Sequence, residues 1–292
     1  MKCMTFGLYP AYPGPRADRV VLEDCSGSLF GVGRASGRAV AVNNDIYFAL
    51  GEHWYADEDS PVALLRAESK LRNPWIGARL DAEFGDRPCR VLDVGCGAGF
   101  LSNDLALRGR DVTGIDVAAD ALAVARAHDA SGRVRYIEGN ALALPFEDGS
   151  FEAVCAMDLL EHLENPARAI AEASRVLVPG GLFFFHTFNR NFLSWLVIIY
   201  GVETFVRNAP EHMHVLRLFL KPEQVRAICA EHDLEEPDLV GVRPRLTLPF
   251  WRMLVTGRVA RDFTFRFTRS TRLAYTGVAR KRGGPDQIPI AR

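Results

Sequence analysis

The stretch at residues 91–100, VLDVGCGAGF, decides the fold of this chain. Its apolar start belongs to a predicted short strand at Arg90–Val94, and a helix is predicted to begin where the stretch ends. Gly95, Gly97 and Gly99 stand between the two, where residues without a side chain let the backbone turn tightly and approach a ligand. Ligands of open α/β sheets bind at the carboxyl ends of the strands. The pattern therefore predicts a ligand site at this turn.

Strands and helices alternate along the chain from this turn onward. The further predicted strands are Asp111–Asp116, 134–138, Phe151–Met157, 182–187 and, after a break in the pattern, 239–242 and 272–278. Helices are predicted at 119–128 and 166–178. Helices of this length between short apolar strands indicate βαβ units with both sheet faces covered. The expected fold is therefore α/β: a doubly wound, mostly parallel seven-stranded sheet with helices on both faces.

The same pattern predicts how the chain is organised. Residues 1–44 show no sustained period and are expected to form a loose, disordered N-terminal extension. One domain is expected at 45–282, with a helical N-terminal cap and a lid insertion at 188–220 that is rich in aromatic and long aliphatic residues. Residues 283–292 are expected to be a tail.

The composition excludes several classes of protein. With 48% hydrophobic residues and a net charge of −1, the chain is neither disordered nor low in complexity. None of the six cysteines forms a CxxC pair, so no zinc-ribbon or thioredoxin spacing is present. No secretory signal follows Met1, which makes a reducing, cytoplasmic location the expectation. The longest apolar run, at 192–202, is too short for the ~20 residues of a membrane-spanning helix.

The charge is distributed unevenly. Residues 241–292 hold twelve Lys and Arg against two Asp and Glu, whereas the rest of the chain is acidic. A basic C-terminal surface favours an anionic partner, and membrane headgroups are expected rather than nucleic acid. The alternative is a basic face with no partner.

Acidic and polar residues follow the first three strands in the order that an adenosine cofactor requires. Asp93 lies two residues before the first glycine of a GxGxG turn, which differs from the GxGxxG of nicotinamide-binding folds. Asp116 ends the second strand, where a carboxylate can accept hydrogen bonds from two ribose hydroxyls. Asn140 and Ala141 follow the third strand and could frame an adenine. The alternative is a structural turn with surface acids.

A second polar set follows the fourth strand. Asp158, Glu161 and His162 are spaced i, i+3 and i+4, and we expect them on one face at the start of a helix beside the cofactor cleft. Two carboxylates and an imidazole could hold Mg²⁺ or Zn²⁺. Alternatively, Asp158 caps the helix, Glu161 is solvated, or His162 acts as a general base without metal. Glu161 and His162 are the predicted catalytic residues.

The segments VLDVGCGAG, GID and VPGG, within residues 91–187, resemble class I S-adenosylmethionine-dependent methyltransferases and imply their Rossmann-like fold. The resemblance implies that Asp93 and the glycine turn hold the methionine part of S-adenosylmethionine and that Asp116 holds the ribose. It also implies that Asn140 approaches the adenine and that Met157 lines the cofactor cleft.

A narrower resemblance covers MDLLEHLENP at 157–166 and the segment 187–222. Both resemble the ubiquinone-biosynthesis O-methyltransferases, which methylate hydroxyls of a polyprenylated catechol or phenol. The resemblance implies O-methylation of a phenolic or lipid quinol substrate, a divalent cation at the Asp158 set, a substrate-site role for His214, and peripheral membrane contact through 188–208. For 188–208, a dimer interface or ordinary core packing is the alternative.

Fold alone does not determine the substrate. Methylation of another small molecule or lipid, at O, N or C, therefore remains the competing enzymatic hypothesis. A nicotinamide dehydrogenase and a binding module without catalysis are the hypotheses from other classes.

Overall fold

A computed structural model describes residues 42–48 and 50–283 of the chain. Most of the predicted extension at 1–44 and of the tail at 283–292 lies outside these residues. Asn43 and Asn44 are described, and the backbone N–H of Asn43 donates to the His212 carbonyl oxygen at 2.8 Å. These two residues therefore contact the folded domain, while the predicted domain boundaries stay predictions.

One sheet organises the described residues. Its strands are β1 (Arg90–Val94), β2 (Asp111–Asp116), β3 (Arg135–Glu138), β4 (Phe151–Met157), β5 (Leu177–Phe188), β6 (Asp238–Pro244), β7 (Phe265–Thr268) and β8 (Ala274–Arg280). The spatial order is β3-β2-β1-β4-β5-β8-β6-β7. Strands β1 to β5 pair in parallel, and β8, β6 and β7 pair antiparallel. The doubly wound α/β fold is confirmed.

The predicted number of seven strands is wrong by one, because β7 was missed. Phe265–Thr268 reads FRFT, and its single partner is β6 at the outer end of the sheet. An edge strand of four residues with an exposed arginine carries little of the apolar signal by which a buried strand is recognised.

Helices cover the sheet and build a cap and a lid. They are α1 (His53–Ala56), α2 (Val62–Phe84), α3 (Phe100–Leu107), α4 (Ala119–Ala127), α5 (Pro166–Val176), α6 (Phe192–Ser194), α7 (Gly201–Phe205), α8 (Pro222–Glu231) and α9 (Leu248–Thr256). Short 3-10 turns lie at Asp45–Phe48, Leu160–His162 and Leu216–Leu218. Helices α1 and α2 precede β1, where the sequence predicts a helical N-terminal cap. No helix among the described residues is long and apolar enough to cross a membrane.

Three local predictions differ from the structure. The predicted helix at 166–178 ends at Val176, and the strand that follows already begins at Leu177, so the Pro-Gly-Gly turn lies inside β5 with a shift in its pairing to β4. Within the predicted lid at 188–220, the apolar composition of 188–208 favours a pair of helices, but α6, a π-helical stretch at Trp195–Tyr200 and α7 follow one another without a break. Helix α9, between β6 and β7, was not predicted.

The residues after β4 also differ from expectation. Asp158 has a φ of +55°, and a single 3-10 turn at Leu160–His162 follows it, whereas the helix α5 begins only at Pro166. The expected helix start at Asp158 is therefore wrong, and Asp158 does not cap a helix. The left-handed backbone at Asp158 turns the chain sharply at the carboxyl end of β4, beside the carboxyl end of β1.

Candidate active site

A cavity of about 240 Å³ lies at the carboxyl ends of β1, β2 and β4, where the glycine turn predicts a ligand. Seven of the predicted cofactor residues line it: Asp93, Gly95, Gly97, Asp116, Asn140, Ala141 and Met157. Gly99, the eighth, is not among the lining residues. It precedes α3 with a φ of +80°, and a Cβ there would lie 2.3 Å from the Tyr136 hydroxyl oxygen. Gly99 therefore allows the turn to pack against Tyr136 rather than to approach a ligand.

Asp116 holds the glycine turn in place. Its two carboxylate oxygens accept hydrogen bonds from the backbone N–H of Gly97, at 2.8 Å, and of Ala118, at 2.9 Å. A carboxylate offers about four acceptor positions, so these bonds leave capacity for a ligand's hydroxyls. Burial raises the pKa of Asp116 above its ordinary value, and the backbone N–H groups work against this shift.

Asp93 lies deeper than Asp116. Its carboxylate accepts a hydrogen bond of 2.6 Å from the Ser102 hydroxyl of α3. Burial raises the pKa of Asp93 to about 6, although the Ser102 hydroxyl opposes that shift. The bond ties β1 to the helix that follows the turn.

Two aromatic residues that precede α2 and were not predicted as site residues form part of the cavity wall. Tyr47 and Trp54 both line it and stack with ring centroids 5.8 Å apart. A Cβ at Gly97 would meet the Trp54 ring at 3.1 Å, so the turn passes directly under the indole. The Trp54 indole N–H is buried without a hydrogen-bond partner among the described residues. Such a donor in a cavity wall points to a ligand acceptor, because buried donors are rarely left unpaired.

A second cavity, of about 270 Å³, adjoins the first and is almost wholly apolar. The lid and α9 supply much of its wall, for example through Leu196, Val202 and Phe250. We call it the apolar chamber. Its ionisable lining residues are Glu68, Asp158, Glu161, His162, His214 and Arg243, and all of them but Arg243 lie close enough to Asp158 to interact with its charge.

Three residues line both cavities: Leu65, Asp158 and His162. We call the region around Asp158 and His162 the junction. At the junction a group in the cofactor cavity and a group in the apolar chamber can meet, which is the arrangement that a transfer reaction between two ligands requires.

Comparison with known proteins agrees with this geometry. A family model described as a methyltransferase domain matches residues 92–185. A ubiquinone biosynthesis O-methyltransferase of Aromatoleum aromaticum is 35% identical over 196 residues, which cover 66% of this chain and 82% of the relative. A protein of the same name from Xanthomonas oryzae pv. oryzae is 36% identical over 211 residues, covering 71% of this chain and 86% of the relative.

The chain belongs to the ubiquinone-biosynthesis O-methyltransferase family. It is an S-adenosylmethionine-dependent methyltransferase, as the sequence resemblance implied. Magnesium protoporphyrin IX methyltransferase from Synechocystis PCC 6803, solved with bound SAH, matches with a TM-score of 0.54 at 16% identity, covering 81% of this chain and 97% of that chain. This likeness shows that the two proteins share a fold.

The cofactor cavity of this methyltransferase fits an adenosyl sulfonium. The Trp54 N–H without a partner among the described residues, the remaining acceptor capacity of Asp116 and the backbone of Gly97 in the cavity wall supply a donor, an acceptor and a close approach to the backbone. Asp116 would hold the ribose, and Asp93 with the glycine turn would hold the methionine part.

The junction of this methyltransferase concentrates buried charge. Glu161 is fully buried, and neither of its carboxylate oxygens has a hydrogen-bond partner among the described residues. Burial and then the neighbouring Asp158 carboxylate raise the pKa of Glu161 to about 8. Burial would also raise the pKa of Asp158, but the adjacent Arg72 guanidinium holds it below its ordinary value. The two carboxylates thus differ in their surroundings: Asp158 is paired with Arg72, whereas Glu161 has no such partner among the described residues and a raised pKa.

Three histidines lie close to these acids: His186 is buried, and His162 and His214 are half-buried. The Nδ1 of His162 lies 2.9 Å from the side-chain oxygen of Asn44, so that Nδ1 donates and Nε2 is left as an acceptor. Burial lowers the pKa of His162 to about 4 and that of His214 to about 3. His186 lines neither cavity, and its Nδ1 lies 2.8 Å from the Thr276 hydroxyl oxygen.

The predicted cation ligands do not fit a cation well in this methyltransferase. Both Asp158 oxygens accept hydrogen bonds from Arg72, and Nδ1 of His162 is bonded to Asn44. Within the described part of the chain, the acidic and histidine side chains whose ligand atoms come within 4.8 Å of one another are Glu68, Asp158 and His186. This group shares only Asp158 with the predicted set of Asp158, Glu161 and His162.

Proposed function

We propose that this methyltransferase methylates a phenolic or catechol hydroxyl of an acceptor with an apolar remainder, such as a polyprenylated quinone precursor. The observation that carries the proposal is the apolar chamber, whose carboxylates and imidazoles gather at its junction end. An acceptor with one polar end and a lipid-like body has the same distribution of polarity. The name of the curated relatives, ubiquinone biosynthesis O-methyltransferase, points to the same class of acceptor.

Glu161 is the proposed general base. A phenol has a pKa near ~10 and must lose its proton as its oxygen becomes the nucleophile. Glu161 lines the apolar chamber with two unpartnered oxygens, and the pKa of its carboxyl is raised to about 8, so it takes up the proton more readily than an ordinary glutamate. The neutral His162 offers Nε2 as an acceptor for the second hydroxyl of a catechol, which orients the reacting hydroxyl toward the cofactor cavity.

Every proton and bond in the proposed reaction is accounted for by the cofactor, the acceptor and Glu161. S-adenosylmethionine supplies the methyl group as a sulfonium with a good leaving group. The acceptor hydroxyl gives its proton to the Glu161 carboxylate, and its oxygen forms the new bond to carbon as the carbon–sulfur bond breaks. Alignment of the two ligands across the junction can contribute about 7–11 kcal/mol in favourable cases.

We also propose peripheral contact with an anionic membrane at the cytoplasmic face. Among the described residues, ten of the thirteen exposed large hydrophobic side chains fall within residues 192–205 and 246–255, two segments that line the apolar chamber. Exposed arginines at 245, 252, 258 and 266 lie within or near the second segment. Apolar side chains with basic neighbours are typical of surfaces that bind the headgroup layer, where each basic residue contributes about 1 kcal/mol. A lipid acceptor could then enter the chamber from the bilayer.

Acceptor chemistry is tested with purified protein and methyl-labelled S-adenosylmethionine. The panel contains a prenylated catechol, a short-chain catechol, an amine and a carboxylic acid, and products are identified by mass spectrometry. We expect O-methylation of both catechols, with a lower KM for the prenylated one. Methylation of the amine or the acid with no catechol product would refute the proposal and favour another small molecule as the acceptor.

Membrane contact is tested by sedimentation with lipid vesicles. We expect binding to vesicles that contain anionic lipid, release by salt, and weaker binding of Val255→Ser. Leu107→Ser is the matched control, since Leu107 is also an exposed aliphatic residue on a helix but lies outside both segments. Equal loss of binding in the two variants, or no binding by the parent protein, would contradict the proposed surface.

A further inference from the structure

Arg72 places a buried guanidinium at the junction. It extends from α2, is 3% exposed and lines the cofactor cavity. Its Nη1 donates to one Asp158 oxygen at 2.7 Å, and its Nη2 donates to the other. Paired bonds of this kind are the strongest arginine–carboxylate geometry and fix the position of the charge.

The guanidinium lies where the acids and the histidine converge. The Nη1 of Arg72 is 3.8 Å from a Glu68 oxygen. The Nε2 of His186, which has no hydrogen-bond partner within the described part of the chain, is 3.5 Å from the other Glu68 oxygen and 3.7 Å from an Asp158 oxygen. Glu68, Asp158 and His186 are thus the group with metal-ligand spacing, and Arg72 contacts both of its carboxylates.

A divalent cation would compete with Arg72 for the same oxygens. Divalent cations bind carboxylate oxygens at 2.0–2.6 Å and need at least one free lone pair directed at the ion. A guanidinium that already holds both Asp158 oxygens supplies a positive charge that is present at every physiological pH. Burying an additional double charge beside it would add electrostatic repulsion in a region of low dielectric.

We propose that the Arg72 guanidinium takes the place of a divalent cation at the junction, so that methyl transfer by this chain needs no added metal. The role given to Glu161 in this inference rests on the proposed function. The statement about the cation site does not depend on it. Arg72 pairs with Asp158 and lies 3.8 Å from Glu68, which leaves Glu161 as the carboxylate available to the acceptor. Arg72 is accordingly a positioning residue, since it acts through Asp158.

Cation binding is measured first, without acceptor or cofactor, by calorimetry with Mn²⁺ and with Zn²⁺. We expect the parent protein to show no saturable cation binding at Glu68, so its titration should match that of Glu68→Gln. Arg72→Gln frees the carboxylates from the guanidinium. We expect it to bind Mn²⁺ at least about tenfold more tightly than Arg79→Gln does. Arg79→Gln is the matched control, because Arg79 is on the same helix in an exposed pair with Asp238.

Two results would overturn the proposal whether or not catechols are substrates. One is binding of one equivalent of Mn²⁺ or Zn²⁺ by the parent protein that Glu68→Gln abolishes. The other is a folded Arg72→Gln that binds no cation more tightly than Arg79→Gln does. The parent titration decides the matter even when Arg72→Gln does not fold. Once an acceptor is known, dialysis against a chelator should leave the rate unchanged, and loss of activity restored by Mg²⁺ would equally refute the proposal.

Discussion

Replacing Glu161 by glutamine tests the proposed base most directly. The substitution keeps the size of the side chain but removes its ability to accept a proton. General bases contribute about 10²–10⁴-fold to a rate, so we expect a loss of kcat of that order. Cofactor affinity should not change, because Glu161 lines the apolar chamber and not the cofactor cavity.

The raised pKa of Glu161 determines how strongly the methyl-transfer rate should depend on pH. Burial and Asp158 raise the pKa of Glu161 to about 8, so only about one tenth of the protein carries the ionised base at pH 7. The base must be ionised to act. The rate should therefore rise about tenfold per pH unit below this pKa and level off above it. In Glu161→Gln this rise should vanish, leaving only the titration of the phenol near ~10.

The assay is the initial rate of labelled methyl transfer to a catechol between pH 6 and pH 9.5, with cofactor affinity from calorimetry. Glu164→Gln is the control: it lies three residues further along, is exposed and pairs with Arg217 at the surface. A Glu161→Gln variant that keeps the rate of the parent protein and the same rise near pH 8 would show that another group takes the proton.

Three further outcomes follow from the structure. Asp116→Asn should weaken S-adenosylmethionine binding by about tenfold or more, because the charged acceptor of the ribose hydroxyls is lost; calorimetry checks this, with the exposed Asp120→Asn as control. Gly99→Ala should lower the unfolding free energy by more than the roughly 1–2 kcal/mol that left-handed backbone alone costs a residue with a Cβ. In Gly109→Ala, where a Cβ meets nothing within 4 Å, urea unfolding should show only that backbone cost. Glu161 also links stability to pH. Burial raises its pKa above the unfolded value, so the folded protein holds this proton more tightly, and stabilisation present in acid is lost as the pH rises through about 8. In urea unfolding, the unfolding free energy of the parent protein should fall as the pH rises toward about 8, and that of Glu161→Gln should lack this fall.

The cofactor cavity could be predicted from the sequence because its parts are local. Apolar strands, the glycine turn and the acids that follow each strand are written within a few residues of one another, and a parallel sheet brings their carboxyl ends to one edge. Seven of the eight predicted cofactor residues accordingly line the cavity. Gly99 matches the motif equally well, but its contact with Tyr136 depends on a strand that lies 36 residues further along the chain, at Arg135–Glu138.

The lid side of the chamber was harder to predict. Helix α9 has three exposed apolar side chains, Leu248, Trp251 and Val255, and follows a run of arginines and prolines, so its sequence does not show which face is buried. Its buried Met253 packs with Val206 from the lid and Phe263 from the loop before β7. Those contacts exist only once the antiparallel end of the sheet has formed, and no local period of the sequence records them.

The polar set after β4 shows the same limit in its chemistry. The spacing of Asp158, Glu161 and His162 suggests a cation site, because carboxylates and an imidazole close together are its usual ligands. Whether those ligands are available depends on Arg72, which is 86 residues away in sequence and reaches Asp158 because α2 packs against the sheet and α3. The same local spacing would suit a metal if an apolar residue stood at position 72, and it suits an ion pair with arginine there. The chemistry of this motif is therefore determined by the helix that covers it.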